Sequence, residues 1–323
     1  MRKETAINYA KRMHSHHKLT LPVDVEHLAK KYANLRFEEF PIDIDGVAAN
    51  LKQRGKTPTI LVNKDRPKSR KRFTLAHEIG HVVMPWHMGT ICDITNENLV
   101  DGSQEYLTME AEANAFATEL LMPTIWIQRL LDEHENLATI SQIIVKNGGV
   151  SPIAATLRLR AMLPAGYLFI VMNSKESITY AGRSDGTYAT PPNKGDGPDA
   201  IKRLSYASDT YTFTAGTNTY FWFKLPDEIE LEGESDGDWR LLLDTIVKEI
   251  TRNTDEQIKY KQKVNGVLGY ANSLIGKGAQ TEKSLYSACV QRFANNSALD
   301  PITKHKKFKN FLASKIRDLM SKI

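Results

Sequence analysis

The chain has 323 residues, enough at roughly 150 per domain for about two domains with full hydrophobic cores. Its 41% hydrophobic and 25% charged residues are those of an ordinary globular chain and exclude disordered, collagen-like and coiled-coil compositions. The net charge of +5 is mild, and with only Cys92 and Cys289 available a disulfide scaffold and a cysteine zinc cluster are both excluded.

The N-terminal stretch has no apolar core of the kind a secretory signal needs, and no apolar run approaches the roughly 18 residues that cross a bilayer. A cytoplasmic protein without a membrane segment is therefore expected. Residues 5–15 and 23–32 have helical apolar spacing, with Pro22 and Asp24 suited to a helix start. Residues 35–40, 47–51 and 59–63 read as short strands of a small antiparallel sheet, separated by turn signals at Asp45-Gly46 and Gly55-Lys56. The pattern is helical from Ser69 through Met84, where Pro85 stops it. Further helices are expected over 109–122, ended by Pro123, and over 124–133.

Residues 139–146 and 152–162 form two short helical patterns joined by Asn147-Gly148-Gly149-Val150-Ser151, a helix-turn-helix spacing. The second helix offers few base-reading side chains beyond Arg158 and Arg160, so packing against the preceding domain is favoured over DNA contact. Residues 167–181 and 211–224 alternate like strands around a Gly-, Pro- and Asp-rich loop, 186–198. Residues 239–323 read as helices, over 239–252, 258–274, 284–295 and 306–320. The expected organisation is a mixed α+β domain over 1–135, a helix-turn-helix-like pair over 136–165, a small strand-containing domain over 166–226 and a helical region over 239–323.

Charge is unevenly distributed. Between Lys52 and Arg72 there are nine basic residues against the single acid Asp65, the tail from Lys304 to Lys322 is again Lys-rich, and seven carboxylates lie between Asp227 and Asp238. Such alternation marks solvated faces more often than a nucleic-acid surface.

The most specific chemical signal is His77-Glu78-Ile79-Gly80-His81, an H-E-x-x-H on a helical segment. Four residues are about one helical turn, so both imidazoles can reach a single Zn²⁺ while Glu78 stands beside them as a base. Leu75, Ala76, Ile79, Val82 and Val83 surround this trio, and Gly80 permits another segment to approach closely. A catalytic zinc needs a third protein ligand. His87 has the spacing of the H-E-x-x-H-x-x-G-x-x-H proteases, but Met84 replaces their glycine. Glu110 and Glu112 are the other candidates, and periodicity does not choose between them.

Arg72-Phe73-Thr74-Leu75-Ala76-His77-Glu78-Ile79-Gly80-His81, followed by Glu112-Ala113-Asn114-Ala115-Phe116-Ala117 and Leu120-Leu121-Met122-Pro123, resembles the ImmA/IrrE family of bacterial metallo-endopeptidases. Leu21-Pro22-Val23-Asp24-Val25 and Asp45-Gly46 add to the resemblance, which covers about residues 1–165. It implies a zincin-like metallopeptidase domain, with His77, His81 and Glu112 as ligands of zinc (manganese being the alternative) and Glu78 as general base. It also implies cleavage of a helix-turn-helix, XRE-type repressor, which releases DNA-damage, stress or mobile-element genes. The 59–63 strand, were it a sheet edge beside the cleft, offers backbone pairing to an extended substrate. The competing expectation is a metal-stabilised module that binds a regulator or DNA without hydrolysis. Glu78 argues against it, because a structural site needs no free carboxylate. Nothing in the residues beyond about 165 identifies a ligand-sensing role.

Overall fold

The computed structural model describes residues 2–40, 43–94, 104–233, 237–275, 281–294 and 296–321. Residues 234–236 of the acidic run, Asn295 at the end of one expected helix, and Lys322 in the basic tail lie outside the described residues. The chain forms two compact units, Met1–Met162 and Leu163–Ile323.

The first unit opens with α1 (Arg2–His17) and α2 (Val25–Lys30), whose start is capped where the Asp24 carboxylate accepts the His27 backbone N–H at 2.9 Å. Three strands follow, β1 (Asn34–Glu38), β2 (Ile44–Leu51) and β3 (Thr59–Asn63), then α3 (Lys68–Val83) and β4 (Gly89–Ile94). The spatial order is β1-β3-β2-β4. The sheet is mixed, not antiparallel throughout as expected, because β1 runs parallel to β3. The turn after β2, with Gly55 at φ +78°, folds β3 back as a hairpin, and β1 adds to the hairpin's open side. β3 is therefore an interior, covered strand and not a sheet edge. The edge on the other side is β4, which lacks a clean alternation and becomes a strand through its pairing with β2.

α3 lies against β2 and β3 on one side and against α4 (Gln104–Leu121) on the other. Leu75, Ala76 and Ile79 of α3 and Ala113, Phe116, Ala117 and Leu120 of α4 are buried along these contacts. Gly80 lets the helices close up, since a Cβ there would stand 3.0 Å from the Phe116 ring. α3 ends at Val83, with the extended Met84 as its C-cap before Pro85, and the Lys52 ammonium donates to its last carbonyls, 3.0 Å from His81 O and 2.6 Å from Val82 O.

Beyond α4 come α5 (Thr124–Glu133), α6 (Leu137–Gly148) and α7 (Pro152–Met162). Asn136 caps α6, and Gly149, at φ +64°, makes the turn out of it. Arg158 of α7 points into the unit. Its guanidinium donates to Glu119 at 2.7 Å, Thr124 Oγ1 at 2.9 Å and Met122 O at 3.1 Å.

In the second unit β5 (Tyr167–Met172) and β6 (Ile178–Arg183) divide what the pattern suggested was a single run, because Asn173 and Ser177 close a tight turn. α8 (Asp199–Lys202), β7 (Asp209–Ala215) and β8 (Asn218–Lys224) complete an antiparallel sheet of order β6-β5-β8-β7. One face buries Leu168, Ile170 and Phe223 against Ala200 and Leu204. The remaining helices, α9 (Trp239–Ile250), α10 (Thr254–Ile275), α11 (Glu282–Ala294), α12 (Asp300–Thr303) and α13 (Phe308–Met320), enclose a core that includes Ile246, Val264, Phe293, Phe311 and Ile316.

Candidate metal centre

Helical spacing on α3 places His77 and His81 on one face, and both rings are buried with their Nε2 atoms 2.9 Å apart. α4 crosses above them and supplies a carboxylate. It is that of Glu110, whose Oε2 is 3.2 Å from His77 Nε2 and whose Oε1 is 3.4 Å from His81 Nε2. His77, His81 and Glu110 each turn a donor atom into one space less than 4.8 Å across.

Glu112 is not at this point. Two residues along a helix rotate a side chain by about 200°, and Glu112 faces the segment after α3. There its Oε2 accepts from Trp86 Nε1 at 2.6 Å and lies 2.9 Å from His87 Nε2. Glu112, expected from the resemblance as the third group, does not meet the histidine pair; the carboxylate that does is that of Glu110. Asn114 is four residues on, hence on the same helix face, and its Oδ1 accepts the His77 Nδ1–H at 3.0 Å. His87 is also off the pair's metal-facing side, with its Nδ1 2.8 Å from His81 Nδ1.

Glu78 projects from α3 beside His77 toward β2. It is wholly buried, and neither carboxylate oxygen has a hydrogen-bond partner among the described residues. Gly46 of β2 leaves the room it occupies, since a Cβ there would be 2.5 Å from Glu78 Oε1 and 2.5 Å from Thr74 Cγ2. The neighbouring Asp45 is buried, forms an ion pair with Arg66, whose Nε is 2.6 Å from its Oδ1, and accepts a hydrogen bond from Arg70, which ties β2 to the start of α3. Asp93 of the edge strand β4 comes within 4.8 Å of His77 and Glu78, a proximity that the local sequence around it does not signal.

The electrostatics of the bare side chains are unbalanced. Burial pushes the Glu78 carboxyl well above the usual carboxylate range and lowers His81 to about 3. Burial also disfavours a charged His77, but the hydrogen bond and charge of Glu110, together with the Glu78 charge, outweigh it and raise this imidazole to about 9. Glu110, which burial alone would raise, is brought to about 2 by the two histidines. Two imidazole nitrogens, one carboxylate and an unpartnered buried carboxylate beside them form a donor set that fits a divalent cation. A divalent ion held there would supply a positive charge that favours ionisation of the buried Glu78.

Residues 31–160 match the IrrE N-terminal-like domain family. This stretch of the chain is similar to that family. All the groups just described fall inside the matched residues. The radiation response metalloprotease IrrE of Deinococcus radiodurans is 29% identical over 162 residues, which are 49% of this chain and 47% of that protein. The IrrE of Deinococcus deserti is 27% identical over 172 residues, 47% of this chain and 60% of that protein. The match to these ImmA/IrrE relatives thus spans about half the length of each. A Mycobacterium tuberculosis transcriptional regulator aligns over 68% of this chain and 76% of its own with a TM-score of 0.41 and 12% identity, a likeness too slight to assign a fold. No helix among the described residues is long and apolar enough to cross a membrane.

Proposed function

We propose that the first unit is a zincin-like, zinc-dependent endopeptidase in which His77, His81 and Glu110 hold the metal and Glu78 is the general base. The observation that carries this reading is Glu78, a fully buried carboxylate with two unpartnered oxygens next to a three-donor cluster. A group of this kind is costly to bury and has no structural use here. The two-histidine, one-glutamate set favours zinc over manganese, as in other peptidases that use H-E-x-x-H.

When bound, zinc supplies a Lewis acid that polarises a peptide carbonyl and makes water acidic enough to ionise near neutral pH. The chain's own groups do the rest. Glu78 takes the proton of the attacking water and returns it to the leaving amine, and Gly46 leaves the room in which its carboxylate sits. Asn114 holds the His77 ring by its far nitrogen. The edge strand β4, beside Asp93 and Glu78, is the backbone edge an extended substrate would extend, in place of the interior β3.

The substrate we propose is a DNA-binding repressor of the helix-turn-helix type in the cytoplasm, cleaved to release stress, DNA-damage or mobile-element genes. Similarity to proteins named radiation response metalloproteases supports a stress role, and the two free thiols suit a reducing compartment. Arg158, one of the two candidate base-reading arginines, is turned inward on Glu119, which favours a protein substrate over direct DNA contact. The test is capture of native-host proteins on Glu78→Gln, followed by intact-mass spectrometry before and after addition of zinc-loaded wild type. Conversion of a captured DNA-binding protein into two complementary fragments is expected. A captured partner that stays whole with metal-loaded wild type would instead make this a binding module.

A further inference from the structure

Glu112 and His87, which the metal reading leaves unused, form a continuous chain behind the histidine pair. His81 Nδ1 lies 2.8 Å from His87 Nδ1, His87 Nε2 lies 2.9 Å from Glu112 Oε2, and Trp86 Nε1 donates to that same oxygen at 2.6 Å. His81, His87 and Glu112 are all fully buried, so none of these contacts competes with bulk water. Such a chain is an expensive thing to place in a core unless each proton has one destination.

We propose that Glu112 and His87 are positioning residues that fix the tautomer and ring orientation of His81 toward the metal, a proposal resting on the reading that His77, His81 and Glu110 bind it. The direction of every proton follows from the geometry. His81 turns Nε2 toward His77 and Glu110, so as a ligand its one proton is on Nδ1. That N–H points at His87 Nδ1, which must accept. A neutral His87 then carries its proton on Nε2 and donates to Glu112 Oε2. The Trp86 indole holds the carboxylate at the end of the chain, and Trp86 is itself packed edge-on to Tyr9 of α1. Each ligand histidine thus has its own outer partner, Asn114 for His77 and the His87–Glu112 pair for His81. Outer partners of this kind set ring orientation and raise the basicity of the ligand nitrogen.

The relay also explains why this chain carries both Glu110 and Glu112 on α4 and a histidine ten residues after His77. Glu110 belongs to the metal, whereas Glu112 and His87 belong to each other.

The test measures zinc affinity by competition with a chromophoric chelator on the full chain, with thermal melting of each metal-free variant as the control for folding. His87→Leu should weaken zinc binding about 10- to 100-fold. His87→Asn, whose amide oxygen can take the place of Nδ1 as acceptor, should recover most of that loss. Glu112→Gln, which keeps the shape but not the charge, should fall between the two. Nitrogen-15 spectra of histidine-labelled, zinc-loaded wild type should show His87 protonated at Nε2 and bare at Nδ1. A folded His87→Leu that binds zinc as tightly as wild type, or a His87 protonated at Nδ1, would overturn the relay while leaving the metal site standing. Failure of wild type itself to bind zinc, with Glu110→Gln no different, would remove the metal reading and the relay with it.

Discussion

Glu78 and Gly46 are the two residues whose chemistry is most constrained by what surrounds them. On the proposed reading Glu78 acts as the base and is not a metal ligand, so Glu78→Gln should retain zinc in a chelator competition while peptide cleavage falls about 10²- to 10⁴-fold. Gly46→Ala is the subtler change. Its methyl group would stand 2.5 Å from both Glu78 Oε1 and Thr74 Cγ2, so the carboxylate or the strand must shift. Zinc affinity should be close to that of wild type and cleavage reduced, read from the same two assays. Loss of zinc on Gly46→Ala would mean that the shift reaches the histidines and that Gly46 shapes the whole site. Glu78 and its two histidines were legible in the sequence because their spacing matches one helical turn. The identity of the carboxylate opposite them was not, since Glu110 and Glu112 differ only in which way α4 is turned about its axis.

At the level of elements, the site depends on α3 being held at both ends and α4 being held over it. The end nearest His81 is secured by Lys52, a residue of the β2–β3 hairpin that reaches the His81 and Val82 carbonyls. Lys52→Met should lower stability by about 1 kcal/mol, because the ammonium satisfies carbonyls at the negative end of the helix dipole. A urea melt measures this, and an unchanged midpoint would mean that water replaces the ammonium without loss. The ion pair between Arg158 and Glu119 ties α7 to the end of α4 with side chains 12% and 3% exposed. Arg158→Ala leaves the buried Glu119 carboxylate without its counter-charge, held only by the Thr124 backbone N–H and hydroxyl, and should cost about 3 kcal/mol. A variant as stable as wild type would show that Glu119 finds other donors. The helices α3 to α7 follow from apolar spacing and proline stops, which are local signals. The sheet order does not, because β1 and β4 acquire their partners through pairings that no local pattern encodes.

Across the molecule, opposite charges that are far apart in sequence meet inside the second unit. Lys309 of α13 pairs with Glu232, Lys283 of α11 with Glu230 at 2.5 Å, and the Thr281 hydroxyl donates to Glu228. The acidic run therefore neutralises part of the basic tail, which weakens any nucleic-acid reading of that tail. The helical core of this unit also contains two groups that titrate late. Burial pushes the Cys289 thiol from its usual value near 9 up to about 12, and burial does the same to the Tyr286 phenol, also to about 12. The folded form keeps these protons where the unfolded chain has lost them, so stability is full below about pH 9 and falls as pH rises toward 12. The slope is at most about 1.4 kcal/mol per pH unit for each group. Denaturant melts between pH 8 and 11 should show this decline, and Cys289→Ala should flatten it. An equal slope in that variant would place the alkaline loss elsewhere.

The sequence by itself determined that this chain has an H-E-x-x-H helix, a second helix with carboxylates to offer it, and a resemblance to ImmA/IrrE peptidases across its first half. These features are set by periodicity and by short motifs, so they are present wherever the chain is read. Tertiary structure alone decided which glutamate faces the histidines, that β3 is interior while β4 is the edge, and that His87 and Glu112 form a pair of their own. Each of these depends on the rotation of one element against another. Helix rotation and strand pairing are settled by burial and hydrogen bonding between segments tens of residues apart, which no local stretch of sequence contains.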